Sequence, residues 1–341
     1  MRKYLILFWQ ETGYRLARPS VTFFIFQHRI KIQISRTPPE KEEFMSYYSR
    51  LSESFENVPR LPLSRHTKYV LISDCHRGTG TSNDNFLKNQ NLYYAALQHY
   101  YKMGYTYIEL GDGDELWENR SMKQIIEAHG DVFYLLSCFH AQGRLHMLYG
   151  NHDMVKKSLR YTVKYCNAYP CCCGNNPYLE SRPLLPDIRF YPGIILENIS
   201  APDTRDVYLT HGHQADFLNS TLWRCSRFLV RYLWRPLEHY GVLDPTSAAK
   251  NYTKKQKVEQ RLHRWAKREN HILITGHTHR PTLSAEDSCY YNSGSCVHPY
   301  SITCLEIQQL QIRLVKWALA TRPDMSLYVA REVLAEPVPL N

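Results

Sequence analysis

The 341-residue chain has no apolar run approaching the roughly 20 residues of a membrane span, which excludes a membrane-crossing helix. It has no C-x-x-C zinc module, although it holds ten cysteines. Three of these are consecutive: Cys171, Cys172 and Cys173. Adjacent cysteines rarely pair with each other, because a disulfide needs a set Cα separation. No clean secretory signal precedes them, so they read as reduced thiols in a cytoplasmic protein. The chain also lacks internal repeats, low-complexity tracts and the aromatic-plus-basic β platform of single-strand nucleic-acid binders. Nucleic acid is therefore not an expected partner.

What is present begins with bulk. Apolar residues make up 43% of the chain, enough to bury a sizeable core and to exclude global disorder. Lys and Arg number 42 against 32 Asp and Glu, for a net charge of +10. The surplus is local. Residues 1–44 carry +4, residues 213–270 carry +7, and the remainder carries −1. A basic surplus suits a polyanionic partner, here one met by two segments rather than by the whole surface. Residues 1–44 read as a poorly ordered extension or as a mis-assigned start upstream of Met45. A membrane-surface anchor is the third reading.

From Met45 onward the pattern is globular. Residues 68–73, 105–110 and 145–149 are short apolar runs that read as strands. Residues 85–103 and 123–142 have helical spacing and are each followed by glycine. This βαβαβ rhythm predicts a layered α/β domain over 45–341. Residues 160–186 read as loop. Residues 190–197, 206–210 and 271–275 are further strands, and 289–312 holds short ones. Residues 217–240 and 247–270 read as two helices.

Five polar clusters follow the strand ends: Asp74 and His76, Gly111 through Glu115, Gly150 through Asp153, His211 through His213, and Gly276 through His279. In open α/β sheets, ligands collect at the carboxyl ends of strands. Three oxygen donors and four imidazoles suit divalent ions of borderline hardness, such as Mn, Fe or Zn. Asp74 with His76, and His277 with His279, are two residues apart, so each pair can point into one cleft. A lone His129 or His146 reads as a solvent or packing residue.

The ordered set D-x-H, GD, GNHD, His and GHTH resembles the calcineurin-like metallophosphoesterases, over residues 69–305. The resemblance implies a four-layer α-β-β-α sandwich and two divalent metal ions, with Mn2+ foremost. Asp74, His76, Asp112 and His279 would hold the first ion. Asp112, Asn151, His211 and His277 would hold the second, with Asp112 as the bridge. A metal-bridging hydroxide would attack phosphorus. His152 would contact the phosphate and protonate the leaving oxygen, with Asp153 orienting it. Arg77 can face a phosphate oxygen, and His213 lines the phosphate site or caps a turn.

Glu115, Trp117 and the run from Gly276 to Pro281 are similar to the UDP-2,3-diacylglucosamine diphosphatase branch. That branch has Arg where this chain has His152. It also carries a helical lid, and the +7 segment 213–270 matches that position. Leu218, Leu222, Cys225, Leu229, Leu233 and Leu237 form an apolar stripe, while Arg224, Arg227, Arg231 and Arg235 step along another face. The stretch reads as a solvated face packed on the core, or as a lid meeting an amphiphilic phosphorylated substrate or a membrane surface. On the lid reading, Arg224 and Arg227 are substrate contacts. The implied activity is hydrolysis of a pyrophosphate or phosphodiester bond in a nucleotide-linked, including lipid-linked, substrate at the inner membrane face. The alternatives are a phosphomonoesterase, including a protein serine-threonine phosphatase, and a non-catalytic scaffold.

Overall fold

Alternation along the first predicted strand divides the molecule. Tyr69 and Leu71 enter a core shared by two sheets, while Val70 and Ile72 enter a second core beneath helices. The computed structural model describes residues 39–81, 84–169, 182–200, 205–234, 252–284 and 289–340. Glu40–Asn341 forms one compact unit.

The smaller sheet has five strands in the order β1 (Arg60–Leu63), β6 (Gly193–Asn198), β7 (Val207–Thr210), β8 (Ile272–Thr275) and β9 (Tyr290–Asn292). The larger has eight. Its parallel half is β2 (Lys68–Ile72), β3 (Thr106–Leu110), β4 (Leu145–Leu148) and β5 (Phe190–Tyr191). On the far side of β2, the strands β10 (Ser301–Gln308), β11 (Gln311–Thr321) and β12 (Leu327–Val333) run antiparallel, and β13 (Val338–Pro339) pairs with β11.

Helices cover both outer faces. Against the larger sheet lie α2 (Gln90–Lys102), α3 (Met122–Ala128) and α4 (Gly130–Ala141), which contribute Tyr93, Leu97, Ile125 and Phe133 to that core. Against the smaller sheet lie α1 (Pro39–Glu53) and α8 (Tyr252–Glu269), through Leu51, Leu262 and Trp265. The order helix, sheet, sheet, helix is the four-layer α-β-β-α sandwich. The remaining α-helices among the described residues are α5 (Leu159–Cys166), α6 (Phe217–Ser220) and α7 (Trp223–Leu229), followed by a π turn at Val230–Trp234.

Several elements differ from the sequence expectation. The helix expected over 123–142 is two helices broken at His129. That imidazole is buried between Asp84 (2.8 Å) and Gln90 (3.0 Å), which fixes the break. Part of the expected loop over 160–186 is α5; Cys171, Cys172 and Cys173 lie outside the described residues. The strand expected over 190–197 changes sheets, because Tyr191 pairs with Leu148 and Gly193 pairs with Thr210. The helix expected over 217–240 is α6, α7 and the π turn in its described part. At the break between α6 and α7, Ser226 Oγ rather than a backbone N–H takes Leu218 O (3.0 Å), while Leu222 N reaches Phe217 O (3.4 Å). Its apolar stripe is not packed inward, since Leu218, Leu222, Leu229 and Leu233 are exposed. Arg235, Leu237 and residues 1–38 lie outside the described residues. Among the described residues, no helix is long and apolar enough to cross a membrane.

Candidate metal centre

Five loops leave the carboxyl ends of β2, β3, β4, β7 and β8 and meet where the two sheets adjoin. Backbone hydrogen bonds lock them together. Asp74 N donates to Gly111 O (3.1 Å), His76 N to Asp112 O (2.9 Å), and Gly276 N to His211 O (3.1 Å). Side chains add to this. His152 N donates to Asp112 Oδ1 (2.8 Å), and His277 N to Asp74 Oδ2 (2.9 Å).

The backbone is strained here. Asp74, His76, Asp112, His277 and His279 have φ values of 52°, 48°, 51°, 67° and 55°. The left-handed region is costly for residues with a Cβ, and such strain clusters at functional sites. Two glycines allow the close approach. A Cβ on Gly150 would fall 2.1 Å from Asp112 Oδ1, and one on Gly276 would fall 2.4 Å from Asp74 Oδ2.

The ligand-type atoms form overlapping groups. In one, Asp74, His76 and His279 place their donors within 4.8 Å of one another; in a second, Asp112, His211 and His277 do the same. His279 Nε2 lies 3.0 Å from Asp74 Oδ1, and His211 Nε2 lies 3.1 Å from Asp112 Oδ2. Asp74 Oδ1, His76 Nε2, Asn151 Oδ1, His211 Nε2 and His277 Nε2 are buried and make no aligned hydrogen bond, Asp74 and His211 having only the ion-pair contacts just given. Buried polar atoms are normally satisfied, so a set of unpaired oxygen and imidazole donors fits bound cations. The far side of the His211 ring is fixed, with Nδ1 bonded to Leu110 O (2.9 Å).

Electrostatics agree with a site built for positive charge. Burial opposes ionisation of Asp74 and Asp112, yet neighbouring imidazoles hold both carboxyls below the usual range. Burial likewise opposes protonation of His76, but Glu115, Asp112 and Asp74 raise it to about 10. His211 rises to about 9 against its own burial, chiefly through Asp112 and Asp74. For His277 and His279 burial prevails, and both are lowered.

The carboxylate that organises the imidazoles is Glu115, for which the sequence reading has no role. It meets His76 Nδ1 through Oε2 (2.8 Å) and His152 Nδ1 through Oε1 (2.9 Å). Trp117 stacks on the His152 ring at 4.3 Å with planes 23° apart. The D-x-x-E-x-W spacing after β3 was the available signal. The orienting contact expected from Asp153 is not made. Its Oδ1 accepts from Gly150 N (2.7 Å) and its Oδ2 from Lys156 (2.9 Å), so Asp153 shapes the loop instead.

Arg77 is also placed differently from the expected phosphate contact. It is fully buried, forked onto Glu109 at 2.8 and 2.9 Å, and bonded to Asp114 at 2.7 Å. Its guanidinium has no face left for a substrate. His213 is buried beside His211, with ring centroids 5.5 Å apart and Nδ1 unpartnered. Burial, with His211 and His277 adding, holds it well below the usual imidazole value. Arg224 and Arg227 bracket the Trp223 ring, at 5.5 and 5.0 Å from its centroid, and the structure does not bring them onto the ligand cluster.

No protein-family model matches the chain, and no curated protein matches it. Among solved structures it is similar to Vps29 from Chaetomium thermophilum. The identity is 11% and the TM-score 0.36, over 82% of this chain and all of that one. It is also similar to a mutant cold-active protein tyrosine phosphatase. There the identity is 17% and the TM-score 0.39, over 83% of this chain and 85% of that one. Scores this low leave the reading of the site to its own residues.

Proposed function

We propose that the chain is a metal-dependent phosphoesterase that hydrolyses a pyrophosphate or phosphodiester bond in a nucleotide-linked substrate. One observation carries the reading. Loops after β2, β4, β7 and β8 each present a buried ligand-type atom that makes no aligned hydrogen bond within the protein. Asp74, His76, Asp112 and His279 would hold one divalent ion, and Asp112, Asn151, His211 and His277 a second. Mixed carboxylate, amide and imidazole donors favour Mn2+, with Fe or Zn as the other candidates. Bound ions supply Lewis acidity and a water ionised near neutral pH.

The protein's own groups supply the rest. His152 Nδ1 is committed to Glu115, which leaves Nε2 as the atom that delivers a proton to the leaving oxygen. Burial alone would disfavour a protonated His152, but the charges of Glu115 and Asp112 raise it. Trp117 covers one face of the ring and limits its rotation.

The substrate class rests on the insertion. Its exposed Leu218, Leu222, Phe228 and Leu229, set among Arg224 and Arg227, suit an amphiphilic phosphorylated molecule or a peripheral contact with the inner membrane face. The first test is Asp112→Asn assayed with Mn2+ across nucleotide sugars, cyclic nucleotides and phosphomonoesters. Wild type should turn over a pyrophosphate or phosphodiester, and the variant should lose that activity. Near wild-type turnover by the variant would sink the proposal.

A further inference from the structure

The insertion grips one turn of the catalytic domain by its backbone. Arg231, in the π turn after α7, donates from Nε to Trp117 O (2.7 Å). Its Nη2 donates to Leu116 O (2.7 Å) and Asn119 O (3.2 Å). Three carbonyls of one turn thus converge on one guanidinium, whose planar fork suits such multiple acceptance. Beside it, Arg120 donates to Tyr232 OH (2.6 Å), and its guanidinium lies 5.5 Å from the Tyr232 ring centroid.

The gripped turn carries the two residues that hold His152. Glu115 bonds its Nδ1, and Trp117 stacks on its ring. Glu115 Oε1 also accepts from Trp117 N (3.1 Å) and Glu118 N (3.2 Å), so a shift of the turn moves the carboxylate with it. Val230, beside Arg231, is buried, so the seam has an apolar part as well. A polar cleft of about 450 Å³ lies there, lined by Thr79, Asn119, Gln124 and Arg231 among others. Phe228, Leu229 and Leu233 nearby in the chain are exposed. The polar part of the attachment among the described residues is these charge-assisted hydrogen bonds.

Resting on the phosphoesterase reading above, we propose that Arg231 is a positioning residue that couples the seat of the insertion to the proton donor. With Arg231 bonded to the 116–119 turn, Glu115 and Trp117 hold His152 in register. With Arg231 released, the turn and His152 lose that register together.

The test uses the full chain and two readouts. Arg231→Ala should lower kcat on bis(4-nitrophenyl) phosphate with Mn2+ by about 10- to 100-fold while leaving KM nearly unchanged. That range is the worth of one or two charge-assisted hydrogen bonds. Arg231→Lys should recover only part of the loss, and millimolar guanidinium should restore activity to the alanine variant. Hydrogen exchange should show residues 115–119 and 223–233 becoming less protected together in Arg231→Ala. Unchanged kcat, or faster exchange confined to 223–233, would overturn the coupling. If wild type shows no Mn2+-dependent turnover, the phosphoesterase reading falls, and the exchange pattern alone still decides whether Arg231 couples the two segments. If Arg231→Ala fails to fold, Arg231→Gln with the same readouts takes its place.

Discussion

Replacing Glu115 by Gln exchanges one of its two acceptor oxygens for an amide donor, while two imidazoles still need partners. His76 and His152 both present Nδ1 to this carboxylate, at 2.8 and 2.9 Å. The amide can accept from one ring and must donate to the other, so one ring is driven to the wrong tautomer. Metal-ligating histidines depend on such outer partners. The expected result is a 10- to 100-fold loss of Mn2+ affinity by calorimetric titration, with a comparable loss of kcat. Unchanged affinity would show that His76 is oriented by something other than Glu115. The ligand-type residues could be read from the chain because their types are rare in apolar strands and each follows one directly. The partner of His152 could not. Asp153 is its neighbour in sequence, but Asp153 turns back to Gly150 N and Lys156, leaving Glu115, 37 residues earlier, to reach the ring. Arg77 shows the same limit: a cation after a motif can point behind the site as easily as into it.

Pro192 and Gly193 mark the point where one apolar run serves two sheets. Tyr191 ends β5 in the larger sheet and Gly193 begins β6 in the smaller. A Cβ on Gly193 would meet Ser54 O at 2.7 Å and the Phe55 ring at 2.8 Å. Gly193→Ala should therefore push the end of α1 off β6 and cost about 1–3 kcal/mol, read as a lower midpoint in urea. An unchanged midpoint would mean that the α1 end moves freely. The central strands were recognisable because burial on both faces makes them continuous apolar runs. The edge strand β12 was not, because most of Leu327–Val333 is exposed or half-exposed and the run carries no alternation to read. The insertion failed as a continuous helix for a different reason. Its apolar spacing was helical, but the ladder breaks at Thr221 and Leu222, where Leu222 N reaches Phe217 O (3.4 Å) and Ser226 Oγ takes Leu218 O (3.0 Å).

At the scale of the molecule, the net charge of +10 falls in sequence on residues 1–44 and 213–270. The loops themselves hold Asp74, Asp112, Glu115 and Asp216, all kept ionised below their usual range by neighbouring imidazoles or, for Asp216, by His277 and Lys254. The centre is thus arranged to hold cations, and the insertion beside it offers arginines and exposed apolar side chains. Those two surfaces do different work if the substrate is amphiphilic. A small phosphodiester needs only the centre; a lipid-linked one also needs the insertion. Arg231 belongs to the first group, because its guanidinium is spent on the 116–119 turn. Arg224 and Arg227 belong to the second, since they bracket Trp223 and leave the ligand loops alone. Arg224→Ala with Arg227→Ala should therefore raise KM about tenfold for a nucleotide diphosphate bearing acyl chains, the worth of one to two exposed charge contacts. The same pair should leave bis(4-nitrophenyl) phosphate turnover within about twofold, since neither side chain touches the centre. Equal losses on both substrates would place these arginines in the fold rather than in recognition. No loss on either would remove the insertion from substrate binding.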